Sequence, residues 1–327
     1  MAVSEQTRYF WAGAKSALRR LATRLGSVAL GSSPVRVALK AALRKGWISG
    51  GRFSSALFGN ALPRADFFWQ HRLAGRAILI SVTPALPVSW RAVLLLEVSE
   101  PEVVRFWRAW LDVCGSHGVF FDVGANLGIH SCRFLAHEVR CVLFEPEECC
   151  FRFIRAVAEL NGWAPAVEPV VVAEADGHYE FFVGSSTVFS SRSKDWLERH
   201  GEKPERIIVR GTSLDSYCDR CGIDPSLIKI DVEQGEVSLL TGASRVFSRV
   251  RPCCLLETWG EQNRKAVWQW FQQKGYEPPL VVRGSRRAGW AITRVSSLGE
   301  FIAERNYNFV FVGDRVLGQE LARAVQG

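Results

Sequence analysis

The sequence predicts an α/β protein with a doubly wound, mostly parallel sheet, and three observations carry that expectation. From about residue 119 onward, short apolar runs of strand length alternate with stretches of helical periodicity. The first run leads straight into a glycine-rich turn that opens a helix, Asp122-Val123-Gly124-Ala125-Asn126-Leu127-Gly128. The second run ends on an acid, Glu145. Parallel strands need long crossovers, and the helices in those crossovers cover both faces of the sheet.

The elements follow in order. Residues 7–25 pattern as an amphipathic helix: Phe10, Trp11, Ala14, Leu18, Leu21 and Leu25 recur at spacings of three and four, with Lys15, Arg19, Arg20 and Arg24 mostly opposite. Such a helix packs its apolar stripe on the domain, lies on an anionic membrane surface, or serves as an Arg-rich organelle address. The breakers Gly31-Ser32-Ser33-Pro34 and Gly50-Gly51 mark a basic, partly helical N-terminal extension over 1–64. Residues 76–98 read as short strands broken by Pro84 and Pro87, and a helix follows over 101–113, with proline in its first turn. Core strands are expected at 119–123, 141–144, 170–173, 227–232 and 253–257, with a late strand at 308–312. Helices are expected up to about His137, over 148–161, and through Val267, Trp270 and Phe271.

Composition excludes several classes. Apolar residues make up 48% and charged residues 23%, as in ordinary globular proteins, and no apolar run approaches the ~20 residues of a spanning helix. The net charge of +8 is concentrated in residues 1–64, which hold eleven basic side chains and one acid, a balance of +10 that leaves −2 for the rest. A nucleic-acid-binding face on the main body is therefore not expected. Nine cysteines, an odd number, with no secretory signal pattern point to a reduced, cytoplasmic compartment, with membrane association through residues 7–25. They include the adjacent pairs Cys149–Cys150 and Cys253–Cys254 and one C-x-x-C, Cys218–Cys221, which lacks a second pair for a zinc site.

The chemistry concentrates in three blocks. In the turn after the first core strand, Gly124 and Gly128 let backbone approach a ligand, and the helix that follows presents free N–H groups. The spacing is not the G-x-G-x-x-G of a pyrophosphate cradle, which argues against a nicotinamide-dependent dehydrogenase. A carboxylate at Asp122 repels a phosphate but suits a ligand with an amino group and a sulfonium centre, such as S-adenosyl-L-methionine. Glu145, 21 residues past Gly124, is positioned to accept from a ribose hydroxyl pair; alone it would read as a solvated loop acid. In the third block, Lys229, Asp231 and Glu233 alternate with Ile228, Ile230 and Val232, so strand geometry puts three charges on one face. They line a site or form a structural ion pair through Lys229.

Together these strings resemble the FkbM family of S-adenosylmethionine-dependent methyltransferases over residues 119–312. The likeness rests on FDVGANLGIHS (121–131), FEP (144–146), SLDSY (213–217), IKIDVEQGE (228–236), LLETWG (255–260) and NFVFVG (308–313). The family block usually reads D-V-E-G-x-E; here Gln234 stands where glycine is usual and Gly235 follows. The resemblance implies a Rossmann-like class I methyltransferase fold with an antiparallel final strand, and O-methylation of a sugar, glycolipid or natural-product hydroxyl. The methyltransferase domain is expected over 119–315, lead-in strands and a helix over 65–118, and a tail over 316–327.

Asp122, Gly124, Asn126 and Gly128 are expected at the methionine end of the cofactor, Glu145 at its ribose, and Ala173 and Glu174 near its adenine. Asp231 is expected nearest the reacting methyl, with Glu233 and His130 behind it. His130 is equally a packing histidine; Asp231, Glu233 and Glu257 could together hold a divalent cation, but Lys229 competes for the same carboxylates and no metal is expected. The rival from another class is a non-catalytic cofactor-binding or membrane-tethered scaffold.

Overall fold

The computed structural model describes residues 66–83 and 100–327, apart from 185–189, 200, 202 and 286–287, together with positions 89, 92, 93 and 96. The amphipathic pattern at 7–25 and the basic extension lie outside the described residues. Two compact units divide the chain, the second comprising residues 73–76 and 100–327. The first includes most of a two-stranded hairpin, β1 (Phe67–Leu73) and β2 (Arg76–Val82). Beyond β2 the expected strand character over 76–98 gives way: Ser89, Ala92, Val93 and Leu96 are helical and buried. Their spacing of three and four is a helical face, not a strand alternation.

The second unit opens with α1 (Pro101–Cys114). The core motif follows as β3 (Val119–Val123), α2 (Ile129–Ala136), β4 (Arg140–Phe144), α3 (Glu148–Leu160) and β5 (Ala166–Glu168). A small sheet is then inserted, made of β6 (Val171–Val172), β7 (Gly177–Val183), β8 (Ser190–Ser191) and, after α4 (Lys194–Arg199), β9 (Glu205–Thr212). The main sheet resumes through α5 (Leu214–Cys221), β10 (Leu227–Ile230), α6 (Glu236–Thr241), α7 (Ser244–Arg249), β11 (Cys253–Glu257) and α8 (Glu261–Gln273). It closes with β12 (Leu280–Ser285), β13 (Gly289–Arg294), α9 (Leu298–Ala303), β14 (Asn308–Phe311) and α10 (Arg315–Gln326).

The main sheet has eight strands in the order β13-β12-β14-β11-β10-β3-β4-β5. The run β11-β10-β3-β4-β5 is parallel, and β14 is inserted antiparallel between β11 and β12. From β3 the chain first moves outward to β4 and β5, then returns to β10 on the other side. That reversal between β3 and β10 is the switch point of a doubly wound sheet, where ligands bind at the carboxyl edge. The expected Rossmann-like fold, with an antiparallel late strand, is the fold present.

Strand alternation divides the core into two layers. Phe121, Val123, Phe144, Ile228, Ile230 and Leu256 face one side, covered by Tyr217 of α5, Leu239 and Leu240 of α6, Phe247 of α7 and Phe271 of α8. Phe120, Leu143, Leu227 and Leu255 face the other, under Trp107 and Trp110 of α1, Phe134 of α2 and Leu321 and Val325 of α10. Residues 316–327, expected as a tail, thus form most of a helix whose apolar stripe closes this second layer, and Asp314 caps it by accepting from Leu317 N at 2.9 Å.

The third expected strand, 170–173, is displaced. The edge of the main sheet is Ala166–Glu168, and Val171–Val172 pairs with β9 in the small sheet. Pro169 separates the two; it has no N–H to extend the ladder, and the chain leaves the sheet there.

Candidate functional site

The turn after β3 is drawn tightly against its neighbours. Gly124 N and Ala125 N both donate to Phe144 O at 3.1 Å, joining the ends of β3 and β4. Gly124 has φ +76°, and a Cβ there would stand 1.8 Å from the backbone oxygen of Asp231. The glycine is needed because the ends of β3 and β10 nearly touch. Asn126, at φ +49°, donates its N–H to Glu145 Oε2 at 2.7 Å, and Glu147 N donates to Glu145 Oε1 at 2.8 Å. One carboxylate therefore ties the loop after β3 to the loop after β4. Burial, with the charges of Glu147 and Asp122, pushes the Glu145 carboxyl up to about 8 against the pull of those two N–H groups.

A cleft open to solvent lies over this turn. Five of the expected residues share its wall: Gly124, Asn126, Glu145, Asp231 and Glu233. Its floor is apolar, from Val123, Phe144, Val170, Val171 and Val172. Glu147 adds a fourth carboxylate, and Arg192 is the one cation among the described lining residues. Arg192 lies 4.3 Å over the Tyr179 ring and donates to Ser238 Oγ at 2.7 Å. This donor set fits S-adenosyl-L-methionine: acids for an ammonium, a sulfonium and ribose hydroxyls, and an apolar floor for a purine.

Four expectations are corrected by position. Asp122 is not on the cleft wall; it is fully buried on the opposite face of β3, where Oδ2 accepts from Ser131 Oγ at 2.6 Å. Its Oδ1 is buried with no hydrogen-bond partner among the described residues. The reason is strand parity: Val123 faces the cleft side, so Asp122 must face α2. The carboxyl groups that line the cleft are instead those of Glu145, Glu147, Asp231 and Glu233.

His130 is likewise outside the cleft. Trp107 Nε1–H donates to His130 Nδ1 at 3.0 Å, and an indole nitrogen can only donate, so Nδ1 is the unprotonated nitrogen. Nε2–H therefore donates to Glu100 Oε2, at 3.0 Å. With both nitrogens engaged and the ring buried, His130 is a packing residue. Gly128 serves the turn: at φ +65° it caps the start of α2, and a Cβ there would press on Ile154 at 3.1 Å.

Ala173 and Glu174 pass beyond the cleft, because Pro169 has turned the chain toward β9. Ala173 N donates to Thr212 O at 2.9 Å, and Glu174 bonds Ser238 and Arg192. The wall expected from them is supplied one step earlier, by Val170, Val171 and Val172.

Behind the cleft, Lys229 is buried and donates to Asp231 Oδ2 at 2.8 Å. Burial disfavours its charge, but Asp231, Asp122 and Glu100 around it hold its pKa above the ordinary lysine value. Burial also works against ionisation of Glu100, yet its bond from His130 and the positive charge of Lys229 hold it low. Beyond Asp231 the chain is strained: Glu233 and Gln234 have φ +47° and +77°. Burial first, then the charges of Asp231 and Glu236, push Glu233 up to about 8. Burial pushes Glu236 up to about 7, and repulsion from Asp231, with burial, pushes Glu257 up to about 9. Asp231, Glu233 and Glu257 do not form a group of three ligand atoms within 4.8 Å of one another.

Sequence reasoning missed Glu147, Phe181, Ser190 and Arg192 on the wall. Glu147 was findable, as a second carboxylate two residues after Glu145. Phe181, Ser190 and Arg192 come from the inserted sheet, which has no glycine signature and meets the cleft only through tertiary folding.

No protein of curated function matches the chain. Solved structures resemble it at low identity. Methyltransferase FkbM from Methylobacillus flagellatus is 15% identical with a TM-score of 0.38, over 69% of this chain and 54% of that one, so this chain spans about half of that protein. Precorrin-6y C5,15-methyltransferase from Geobacter metallireducens is 12% identical over 66% and 87%, TM-score 0.34. A ribosomal protein L11 methylase from Lactobacillus delbrueckii subsp. bulgaricus is 11% identical over 68% and 77%, TM-score 0.35. Residues 122–278 match the methyltransferase FkbM domain, from the end of β3 to the approach to β12. Just under half of the chain is thus similar to that domain family.

Proposed function

We propose that the protein is an S-adenosyl-L-methionine-dependent methyltransferase that O-methylates a hydroxyl of a sugar, glycolipid or natural product. The observation that carries this reading is the convergence of Gly124, Asn126, Glu145, Asp231 and Glu233 on one cleft at the switch point of the sheet. When bound, the cofactor supplies a methyl group activated by a positively charged sulfur. Glu145 would accept from the ribose hydroxyls, its orientation held by Asn126 N–H and Glu147 N–H. The backbone at Gly124 and Asn126 would border the methionine end, and Val170, Val171 and Val172 the purine.

Asp231 orients the acceptor hydroxyl. Its Oδ2 is occupied by Lys229, which leaves Oδ1 to receive the acceptor's hydrogen bond. Glu233, raised to about 8 beside Asp231, takes the proton that the hydroxyl loses. Holding the acceptor in line contributes several kcal/mol of barrier reduction, on the order of the ~7–11 kcal/mol limit for oriented reactants. A cytoplasmic location with residues 7–25 against a membrane surface belongs to the same proposal, and rests on the cysteine count and the basic extension. No described helix is long and apolar enough to cross a membrane.

The test is incubation with methyl-labelled S-adenosyl-L-methionine and fractionated extract, reading which fraction takes label, alongside calorimetry with S-adenosylhomocysteine and NADH. Label in a hydroxylated fraction, with affinity for S-adenosylhomocysteine alone, supports the reading. Binding without transfer to any fraction would favour a scaffold, and binding of NADH alone would overturn the cofactor assignment.

A further inference from the structure

Glu147 immediately precedes α3, and Cys149 and Cys150 stand in its first turn; the proposed methyl transfer uses neither thiol. Cys149 Sγ–H donates to Glu147 Oε1 at 2.8 Å, and the two sulfurs lie 4.0 Å apart. The three ligand atoms fall within 4.8 Å of one another, the one such group of His, Cys, Asp or Glu among the described residues.

The carboxylate is aimed from behind. Glu147 Oε2 accepts from Ser190 Oγ at 2.7 Å, which leaves Oε1 turned to the thiols. Outer contacts of this kind hold a ligand in its binding rotamer. Asn126 Oδ1, 3.9 Å from Cys150 Sγ, borders the group as a further oxygen. The spacing has a chemical meaning. Two sulfurs 4.0 Å apart are spanned by an ion with Zn–S bonds of ~2.3 Å opening to roughly 120°.

We propose that Glu147, Cys149 and Cys150 form a three-ligand site for a soft divalent cation such as zinc, at the lip of the cleft, with one position left open. One dication enters and two thiol protons leave to solvent, so the group carries −1 before and after. Binding therefore adds no net charge beside Glu145. Thiolate ligands select zinc and its thiophilic neighbours over magnesium or calcium.

The full, reduced, metal-free chain is titrated with Co²⁺, reading the sulfur-to-cobalt charge-transfer absorption, and then with Zn²⁺ in competition. One ion per chain is expected, with the band lost in Cys149→Ser and in Cys150→Ser and at least ~10-fold weaker binding in Glu147→Gln. Cys221→Ser, at an exposed thiol elsewhere, should leave the band unchanged. Circular dichroism reports whether each variant is folded; if Cys150→Ser is not, half-buried Cys149→Ser carries the test. A band that survives Cys149→Ser, one that depends on Cys221, or none at millimolar Co²⁺ overturns the proposal. The readout is the metal itself, so failure here is distinct from failure of the methyltransferase reading.

Discussion

Lys229 reaches from the buried face of β10 to Asp231, two residues on, and donates to its Oδ2 at 2.8 Å. This ammonium is the counter-charge for three acids, since Asp122 and Glu100 also raise its pKa. Replacing it by methionine keeps much of the volume but leaves buried carboxylates facing one another. Breaking a buried pair from one side costs about 3–5 kcal/mol. Lys229→Met is expected to lose about that much at pH 7 in urea unfolding. Equal stability of variant and parent at pH 7 would show that the pair is not holding this layer together.

Buried acids in and around the cleft impose a pH dependence on the ligand-free protein. Glu145 and Glu233 are raised to about 8, Glu236 to about 7 and Glu257 to about 9. Between ~4.5, the unfolded value, and these folded values, the native state binds more protons than the unfolded chain. Stability must therefore fall as pH rises from about 5 to 9. Glu100 is shifted the other way, to about 2, so its contribution is present above ~4.5 and lost as pH falls toward 2. Melting temperature should peak near pH 5 and decline by several degrees toward pH 9. A peak at pH 8 or above would contradict the burial of these acids.

Much of this was legible in the sequence, and what was not has identifiable causes. Strands β3, β4, β10 and β11 are buried on both faces, so their apolar runs announce them. Edge strand β5, half-buried throughout, carries no such run, and the apolar Val170–Val172 stretch beside it attracted the assignment that belonged to residues 166–168. The pair β12 and β13 and the inserted sheet alternate or mix polar residues, which hides them between stronger signals. At the site, spacing located the Gly124 turn and Glu145. It could not decide which of Asp122 and Val123 faces the ligand, because that depends on which layer each side of the sheet receives. His130 looked chemical for want of its partner, Trp107, which is supplied by a helix upstream of the motif.

Gln234 occupies the position where the family usually has glycine, and its φ of +77° gives the physical reason for that glycine. A left-handed non-glycine residue costs roughly 1–2 kcal/mol. Against this, Gln234 Nε2 donates to Trp259 O at 3.3 Å, a bond worth at most about 1 kcal/mol. Gln234→Gly should therefore raise stability by up to about 1 kcal/mol in chemical denaturation. Gln234→Val, β-branched at positive φ and without the amide, should lose about 1–3 kcal/mol. A glycine variant less stable than the parent would mean that the amide contact outweighs the strain.

Glu145 and His130 separate binding from packing. Glu145→Gln retains an acceptor for only one of the two backbone N–H groups and removes the ionisable carboxyl facing the cleft. It should weaken S-adenosylhomocysteine binding by about 10–100-fold, the effect of losing one or two charge-assisted hydrogen bonds of ~1.5–3 kcal/mol. His130→Ala instead strands the indole N–H of Trp107 and opens a space beneath α2. It should cost about 2–4 kcal/mol of stability while leaving ligand affinity within a factor of about three. Calorimetry on both variants below their melting temperatures distinguishes the two roles. If His130→Ala loses affinity as steeply as Glu145→Gln, then the histidine is coupled to the ligand through Glu100 and Lys229, and the packing assignment is wrong.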